Sequence, residues 1–148
     1  VLPCLTAFIP MLMDTGGNSG SQACVSIIRG ISLNEIEFRD LGKVVWKEIR
    51  VSVLCGVCLA VACFAKIVVV DMLLLKSESV SYMVAFVVCA TMAVTVCLAK
   101  IVGSTLPLLA KKLGFDPAVM ASPIITTIVD FLSLLVYFAF ATAMLGIG

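Results

Sequence analysis

The 148-residue sequence contains no histidine, and only 13% of its residues are charged. Soluble domains carry about 25% charged residues, and a domain of this size still leaves roughly a third of its unfolded-chain surface in water. So few polar side chains cannot cover that surface. The ten basic and nine acidic residues leave a net charge of +1, so no strong field indicates a nucleic-acid partner.

The missing histidines also limit what the seven cysteines can do. Cys55 and Cys58 have the Cys-x-x-Cys spacing of a metal or redox pair, but no second pair and no histidine complete a soft-metal site. Most of the cysteines lie in long apolar runs, where a thiol behaves as a small hydrophobe. We therefore expect free thiols. The sequence also opens without Met or a basic signal-peptide region, so we expect a segment of a longer protein.

The sequence is rich in long apolar segments. Hydrophobic residues make up 62% of the chain, and the mean hydropathy is +1.23. A membrane helix needs about 20 mainly apolar residues to cross a hydrocarbon core about 30 Å thick. The sequence therefore predicts an all-α, polytopic transmembrane helix bundle in one domain, 1–148. Its spans are expected at roughly 1–28, 51–70, 80–106 and 118–145.

The basic residues predict the orientation of these spans. Lys and Arg concentrate in 29–50 and 109–117, whereas the loop between the second and third spans has only Lys66 and Lys76 near its edges. Because Lys and Arg are retained on the cytoplasmic side, 29–50 and 109–117 are expected to be cytoplasmic. Within 29–50, Ser32-x-x-Glu35 predicts a capping box that opens a short helix, and the mixed charges predict a solvated surface.

Asp130 lies near the middle of the last span, where a carboxylate costs about 2.5–3.5 kcal/mol. Ser122 and Thr126 precede it at intervals of four, and Ser133 and Tyr137 continue the polar stripe. Hydroxyl and carboxylate oxygens suit hard cations, and Mg²⁺ in particular uses one or two carboxylates and keeps several waters. The pattern favours a cation path. The alternative is that Asp130 only bonds a neighbouring helix and holds the bundle together.

A second polar cluster ends the first span. Asp14, Asn18 and Gln22 recur at intervals of four and therefore share one helical face. Gly16 and Gly20 form a small-xxx-small row that lets another helix approach closely. The glycines indicate a packing seam, but close packing does not explain the three polar side chains.

These segments resemble those of MgtE-type magnesium channels. PMLMDTGGNSGSQ, residues 10–22, is similar to the second transmembrane helix of that family, with its GGN-x-G-x-Q signature. The resemblance extends over essentially the whole chain. Its other parts are Gly114 to Ala118 with Ser122-Pro123, Thr126-Thr127-x-x-Asp130, the Lys47-Glu48 pair and a turn from Gly103 to Pro107.

The resemblance implies a homodimer of five-helix subunits in the cell's inner membrane, with an ion path at the dimer axis. Asp130 is then the central, largely hydrated Mg²⁺ site, and Asp116 lies at the cytoplasmic mouth. The expected metal-contacting residues are Asp130, Asp116, Asn18, Thr126, Ser122 and Asp14. Lys100 is expected to be a membrane anchor that reaches the inner interface. The family's first helix and its cytoplasmic regulatory domains are absent from this sequence.

Two other functional classes are compatible with intramembrane acids. An intramembrane aspartyl protease would use Asp14 and Asp130 as a pair that shares a proton. The expected topology puts these residues at different depths, and no glycine-rich acid motif surrounds Asp130, so we expect no enzyme. A structural assembly domain is the third class. The residues leave open the choice among Mg²⁺, Ca²⁺, Mn²⁺ and Co²⁺, and between channel and carrier; lipid and a second copy are the expected partners.

Overall fold

The computed structural model describes residues 2–76, 80–120 and 123–146, and these residues contain no strand. The predicted all-α fold is therefore confirmed. A π-helix at Ile67–Leu74 continues the second helix, and short 3-10 helices occur at Phe38–Asp40 and Pro117–Met120. The long helices are α1 (Leu2–Ser32), α2 (Leu41–Lys66), α3 (Tyr82–Lys112) and α4 (Pro123–Leu145).

Three helical stretches of the described chain are long and apolar enough to cross a membrane. They are Phe38–Leu74, Tyr82–Lys112 and Pro123–Leu145. At 31 residues and 1.5 Å per residue, α1 is about 46 Å long, which exceeds the thickness of the hydrocarbon core. The polar residues at 14–22 lower its hydropathy. α1 therefore has the length of a span but presents one face unsuited to lipid.

The connection between α1 and α2 differs from the sequence-based expectation. Ser32 is the last residue of α1, and its hydroxyl donates to the carbonyl of Ile28 at 2.9 Å. Asn34 follows with a φ of 57°, the left-handed conformation that ends many helices. The predicted helix start at Ser32 is therefore wrong. The cap occurs at Glu37, whose backbone N–H donates to the Asp40 carboxylate at 3.2 Å.

α3 lies at the centre of the bundle and packs against α1, α2 and α4, while α1 also packs against α4. In an apolar 18-residue segment of α3, 56% of the residues are buried, compared with 17% in the corresponding segment of Phe38–Leu74 and 28% in that of α4. One core cluster includes Leu12, Val88 and Met92, and a second is formed around Ala99 and Ile125. The central position of α3 makes it the scaffold on which α1 and α4 meet.

Glycines set the distance between α1 and α3. A Cβ atom on Gly103 would overlap the carbonyl oxygen of Gly20, and a Cβ on Gly16 would lie 2.7 Å from Thr95 Cγ2. The predicted packing seam at Gly16 and Gly20 is confirmed. The predicted turn from Gly103 to Pro107 is wrong, because α3 is helical throughout this segment. Gly103 is needed for the close approach of α1 rather than for a turn.

The cysteines follow the expectation. All seven are free thiols, including Cys55 and Cys58 of the Cys-x-x-Cys pair. Cys58 is exposed on the apolar outer surface of α2, and Cys24, Cys63 and Cys89 are buried. They therefore act as small apolar residues of a membrane bundle.

Candidate functional site

The polar faces of α1 and α4 meet at one cavity. Its volume is about 170 Å³, which is large enough for several water molecules. It is lined by Met13, Asp14, Gly17, Asn18, Thr126 and Asp130. Four of the six residues that the sequence nominates as metal contacts thus come together, although the two helices that carry them are separated by most of the chain.

Gly17 keeps this cavity open. A Cβ atom at this position would lie 3.2 Å from Thr126 Cγ2 and 3.9 Å from Asp130 Oδ1. The missing side chain therefore brings the α1 backbone close to the polar residues of α4 and leaves free volume beside them. On the adjoining row, Gly16 packs against Val129 and Ser133 and fixes the α1–α4 contact.

The lining side chains offer oxygen ligands. Thr126 donates its hydroxyl to the carbonyl of Pro123 at 3.0 Å, and its side chain lines the cavity. Asp130 is half-buried, whereas Asp14 and Asn18 are exposed in the single chain. Carboxylate, amide and hydroxyl oxygens bind hard cations.

The ligands at the cavity suit a hydrated ion rather than a fully dehydrated one. No group of three or more carboxylate, thiol or imidazole ligands occurs within the residues that the structure describes. A chain with two acids at the cavity, Asp14 and Asp130, therefore supplies part of a coordination shell. Mg²⁺ commonly binds in this way, with most of its inner shell remaining water.

One residue that the sequence nominates, Asp116, is not brought into the cavity. Asp116 is exposed in the connection between α3 and α4, and its Oδ1 accepts a hydrogen bond from the backbone N–H of Ala118 at 2.9 Å. It caps the short helix Pro117–Met120 and does not line the cavity. Ser122 lies outside the described residues.

The polar stripe on α4 is shorter than the sequence predicts. Ser133 and Tyr137 are buried in the bundle, where Ser133 donates to the carbonyl of Val129 at 2.6 Å and Tyr137 donates to that of Leu5 at 2.9 Å. Val129 is buried beside them. These hydroxyls are satisfied by backbone carbonyls, so they need no water. The face toward the cavity consists of Thr126 and Asp130.

Asp14 and Asp130 line the same cavity, so the expectation that they lie at different depths is wrong. α1 begins its polar segment near its own middle, because the helix extends to Ser32. The two carboxylates therefore contribute to one electrostatic site.

Sequence reasoning missed a buried ion pair behind α1. Lys100 Nζ lies 3.5 Å from Glu48 Oε2, with side chains only 11% and 8% exposed. The predicted anchoring role of Lys100 and the predicted solvated position of Glu48 are both wrong. A signal was present: Glu48 shares the four-residue spacing of Val44, Ser52 and Gly56, which all face the bundle.

A family model described as "MgtE: Divalent cation transporter" matches residues 9–140. The chain is 32% identical over 141 residues to the magnesium transporter MgtE of Bacillus subtilis, covering 95% of this chain and 30% of that protein. It is 33% identical over 148 residues to the magnesium transporter MgtE of Thermus thermophilus, covering 98% of this chain and 31% of that protein.

A third relative, the magnesium transporter MgtE of Enterococcus faecalis, is 30% identical over 138 residues. The chain spans about 30% of the length of these relatives. The family model covers nearly the whole chain and includes both cavity-lining segments. These proteins are transporters and not enzymes, which removes the protease interpretation. The chain is a membrane protein of the MgtE family of divalent cation transporters.

Proposed function

We propose that this chain conducts Mg²⁺ across the cell's inner membrane along the cavity between α1 and α4. One observation carries the proposal: the same cavity, which has room for several water molecules, is lined by Asp14, Asn18, Thr126 and Asp130. These are hard oxygen ligands in an otherwise apolar bundle, where each polar group is costly. The curated relatives are named magnesium transporters, which supports Mg²⁺ as the ion.

The path lies at the twofold axis of a homodimer. Asp14, Asn18 and Gln22 are exposed along one face of α1 in the single chain. Hydrocarbon would leave them without hydrogen-bond partners at a cost of several kcal/mol each. A second copy placed against this face covers it, and twofold symmetry is the commonest arrangement of soluble oligomers. The two cavities then face each other and bring four carboxylates to one path.

Asp130 provides the selectivity. It is the more buried of the two acids, and it lies beside Gly17, where the α1 backbone leaves room for a hydrated ion. A carboxylate in a less polar setting attracts a cation more strongly than one that water screens. Asp14 and Asn18, which are more exposed, attract and orient the hydrated ion at either side of Asp130.

The test is cation uptake into proteoliposomes with a matched pair of variants. Thr126→Val removes a hydroxyl that lines the cavity, and Thr127→Val removes one that donates to the same Pro123 carbonyl but does not line it. We expect Thr126→Val to lower Mg²⁺ flux by about tenfold, equivalent to about 1.4 kcal/mol, while Thr127→Val stays near wild type.

A panel of Mg²⁺, Ca²⁺, Mn²⁺ and Co²⁺ in the same vesicles measures ion preference. Equal flux in both variants would mean that the cavity is not the path. A structural assembly domain would conduct no more than empty vesicles, which distinguishes that alternative from the proposal.

A further inference from the structure

A groove follows the outer side of the bundle between α2 and α3, away from the α1–α4 cavity. Its volume is about 260 Å³. Val53, Gly56 and Val57 of α2 form one wall, and Ala93, Val94 and Leu98 of α3 form the other. Gly56 deepens the groove, because a Cβ atom there would lie 3.3 Å from the backbone of Ala93.

The groove offers no hydrogen-bonding group that would require water. Its one hydroxyl, that of Ser52, donates to the carbonyl of Ile49 at 2.7 Å and approaches Cys97 Sγ at 3.2 Å. The remaining lining side chains are aliphatic or carry a thiol. Such a surface fits hydrocarbon rather than a hydrated cation.

The face of α2 that forms one wall of the groove continues, toward the start of the helix, with a cationic and an aromatic side chain. Trp46, Arg50, Val53 and Val57 are spaced by four, three and four residues, so they lie on one face of α2. Trp46 is 63% exposed, and Arg50 is also exposed. Tryptophan is enriched where hydrocarbon meets headgroups, and a guanidinium pairs with phosphate through two parallel hydrogen bonds.

The charge of Arg50 is not neutralised within the described part of the chain. Of the ion pairs there, Arg39 pairs with Glu37 and Lys43 pairs with Asp40, but none includes Arg50. The guanidinium of Arg50 is therefore unpaired within the described residues, and it lies three residues or about 4.5 Å along the helix axis from Val53.

We propose that this groove binds an anionic phospholipid. An acyl chain lies between α2 and α3, the phosphate pairs with Arg50, and Trp46 packs at the level of the glycerol. The positive charge of Arg50, on the same face of α2 as the groove wall, favours an anionic lipid as the occupant. A second copy of the chain is expected elsewhere, against the polar face of α1 and α4.

The chain has one tryptophan, Trp46, which makes the site its own reporter. The protein is reconstituted in vesicles that contain increasing fractions of phosphatidylglycerol or phosphatidylcholine with brominated acyl chains, which quench tryptophan on contact. We expect brominated phosphatidylglycerol to quench Trp46 with about fivefold preference, the ratio equivalent to about 1 kcal/mol per basic residue at an anionic surface.

Arg50→Gln should reduce that preference to near one. Arg29→Gln is the matched control, because Arg29 is an exposed arginine at the end of α1, away from the groove, and should leave the preference unchanged. Val53→Phe, at a half-exposed position, should fill the groove and weaken quenching by both lipids while Arg50 remains.

Four outcomes would overturn the proposal. The first is equal quenching by the two lipids in wild type, and the second is an unchanged preference in Arg50→Gln. The third is quenching that depends on the protein-to-lipid ratio but not on the lipid, which would assign the groove to a second copy. Millimolar inorganic phosphate should not relieve quenching by phosphatidylglycerol; relief would identify a soluble-anion site instead.

Discussion

Lys100 of α3 and Glu48 of α2 form an ion pair inside the bundle, with Lys100 Nζ 3.5 Å from a Glu48 carboxylate oxygen. Transferring either charge from water into such a site costs several kcal/mol, and only the partner's attraction offsets it. Neither side chain lines the α1–α4 cavity. The pair therefore belongs to the packing of α2 against α3 rather than to the ion path.

Removing one member of this pair should destabilise the folded protein strongly. Lys100→Met leaves Glu48 buried without its partner, and we expect the free energy of unfolding to fall by about 3–5 kcal/mol. Glu48→Leu combined with Lys100→Met should recover most of the loss, because no buried charge remains. Unfolding in denaturant, with matched detergent, measures both variants.

The control for the ion pair is Lys43→Met. Lys43 pairs with Asp40 at 3.6 Å and both side chains reach water (88% and 36% exposed), so its loss should cost less than about 1 kcal/mol. Wild-type stability of the Lys100→Met single variant would contradict the structural importance of the buried pair.

Closing the cavity should block transport without dissociating the helices. Gly17→Val places methyl groups against Thr126 and beside Asp130, and we expect Mg²⁺ flux to fall by about tenfold or more. Gly42→Val is the matched control, since a Cβ atom there meets nothing within 4 Å. Flux is measured on vesicles with equal amounts of folded protein, judged by size-exclusion chromatography. Full flux through Gly17→Val would remove the cavity from the path.

The sequence was sufficient to predict the all-α fold and the polar residues that share a helix face, because both depend on local patterns. Long apolar runs specify the spans, and spacings of four place Asp14 with Asn18 and Thr126 with Asp130. The glycines around Gly17 predict a close helix contact, but the residue pattern alone does not identify α4 as the helix that meets α1 there, because that depends on how the helices pack.

The errors have a common physical cause, which is that a polar side chain can be satisfied without water. Ser133 and Tyr137 bond to backbone carbonyls, so a polar stripe on α4 turns into the core after Asp130. Glu48 is compensated by Lys100, which is far away in sequence. The spacing of polar residues in the sequence shows which side chains share a helix face. Whether that face is buried depends on which groups from distant parts of the chain bond to its polar atoms.

The orientation of the bundle is a separate prediction. In a variant without native cysteines, single cysteines at Arg39 and Lys112 should react with an impermeant maleimide only from the cytoplasmic side, because basic residues are retained there. Both residues are exposed, so access does not limit labelling. Labelling only from the outside would reverse the topology.

The dimer predicts a specific cross-link. Asn18→Cys, on the exposed polar face of α1, should form an intersubunit disulfide under mild oxidation in the same cysteine-free background. Leu54→Cys, which is 70% exposed on α2, should not. A protein that transports at the wild-type rate while remaining monomeric in the bilayer would refute the shared path.

Asp130→Asn should nearly abolish selective divalent flux while the protein still inserts and assembles. Asn keeps the size and part of the hydrogen bonding of the side chain but removes its charge, so it separates the two roles considered for this acid. If Asp130 only joined helices, Asn would serve almost as well, because interhelical polar contacts average about 0.6 kcal/mol and an uncharged side chain is cheaper to insert. If it attracts hydrated cations, the loss is electrostatic, and we expect flux to fall by about a hundredfold, equivalent to about 2.7 kcal/mol. Asp14→Asn, at the exposed edge of the same cavity, should lose less because water screens that charge. Glu35→Gln, outside the cavity in the exposed α1–α2 connection, should lose nothing. The measurement is Mg²⁺ uptake by variants matched for dimer content, and wild-type uptake by a fully assembled Asp130→Asn protein would assign Asp130 to helix packing alone.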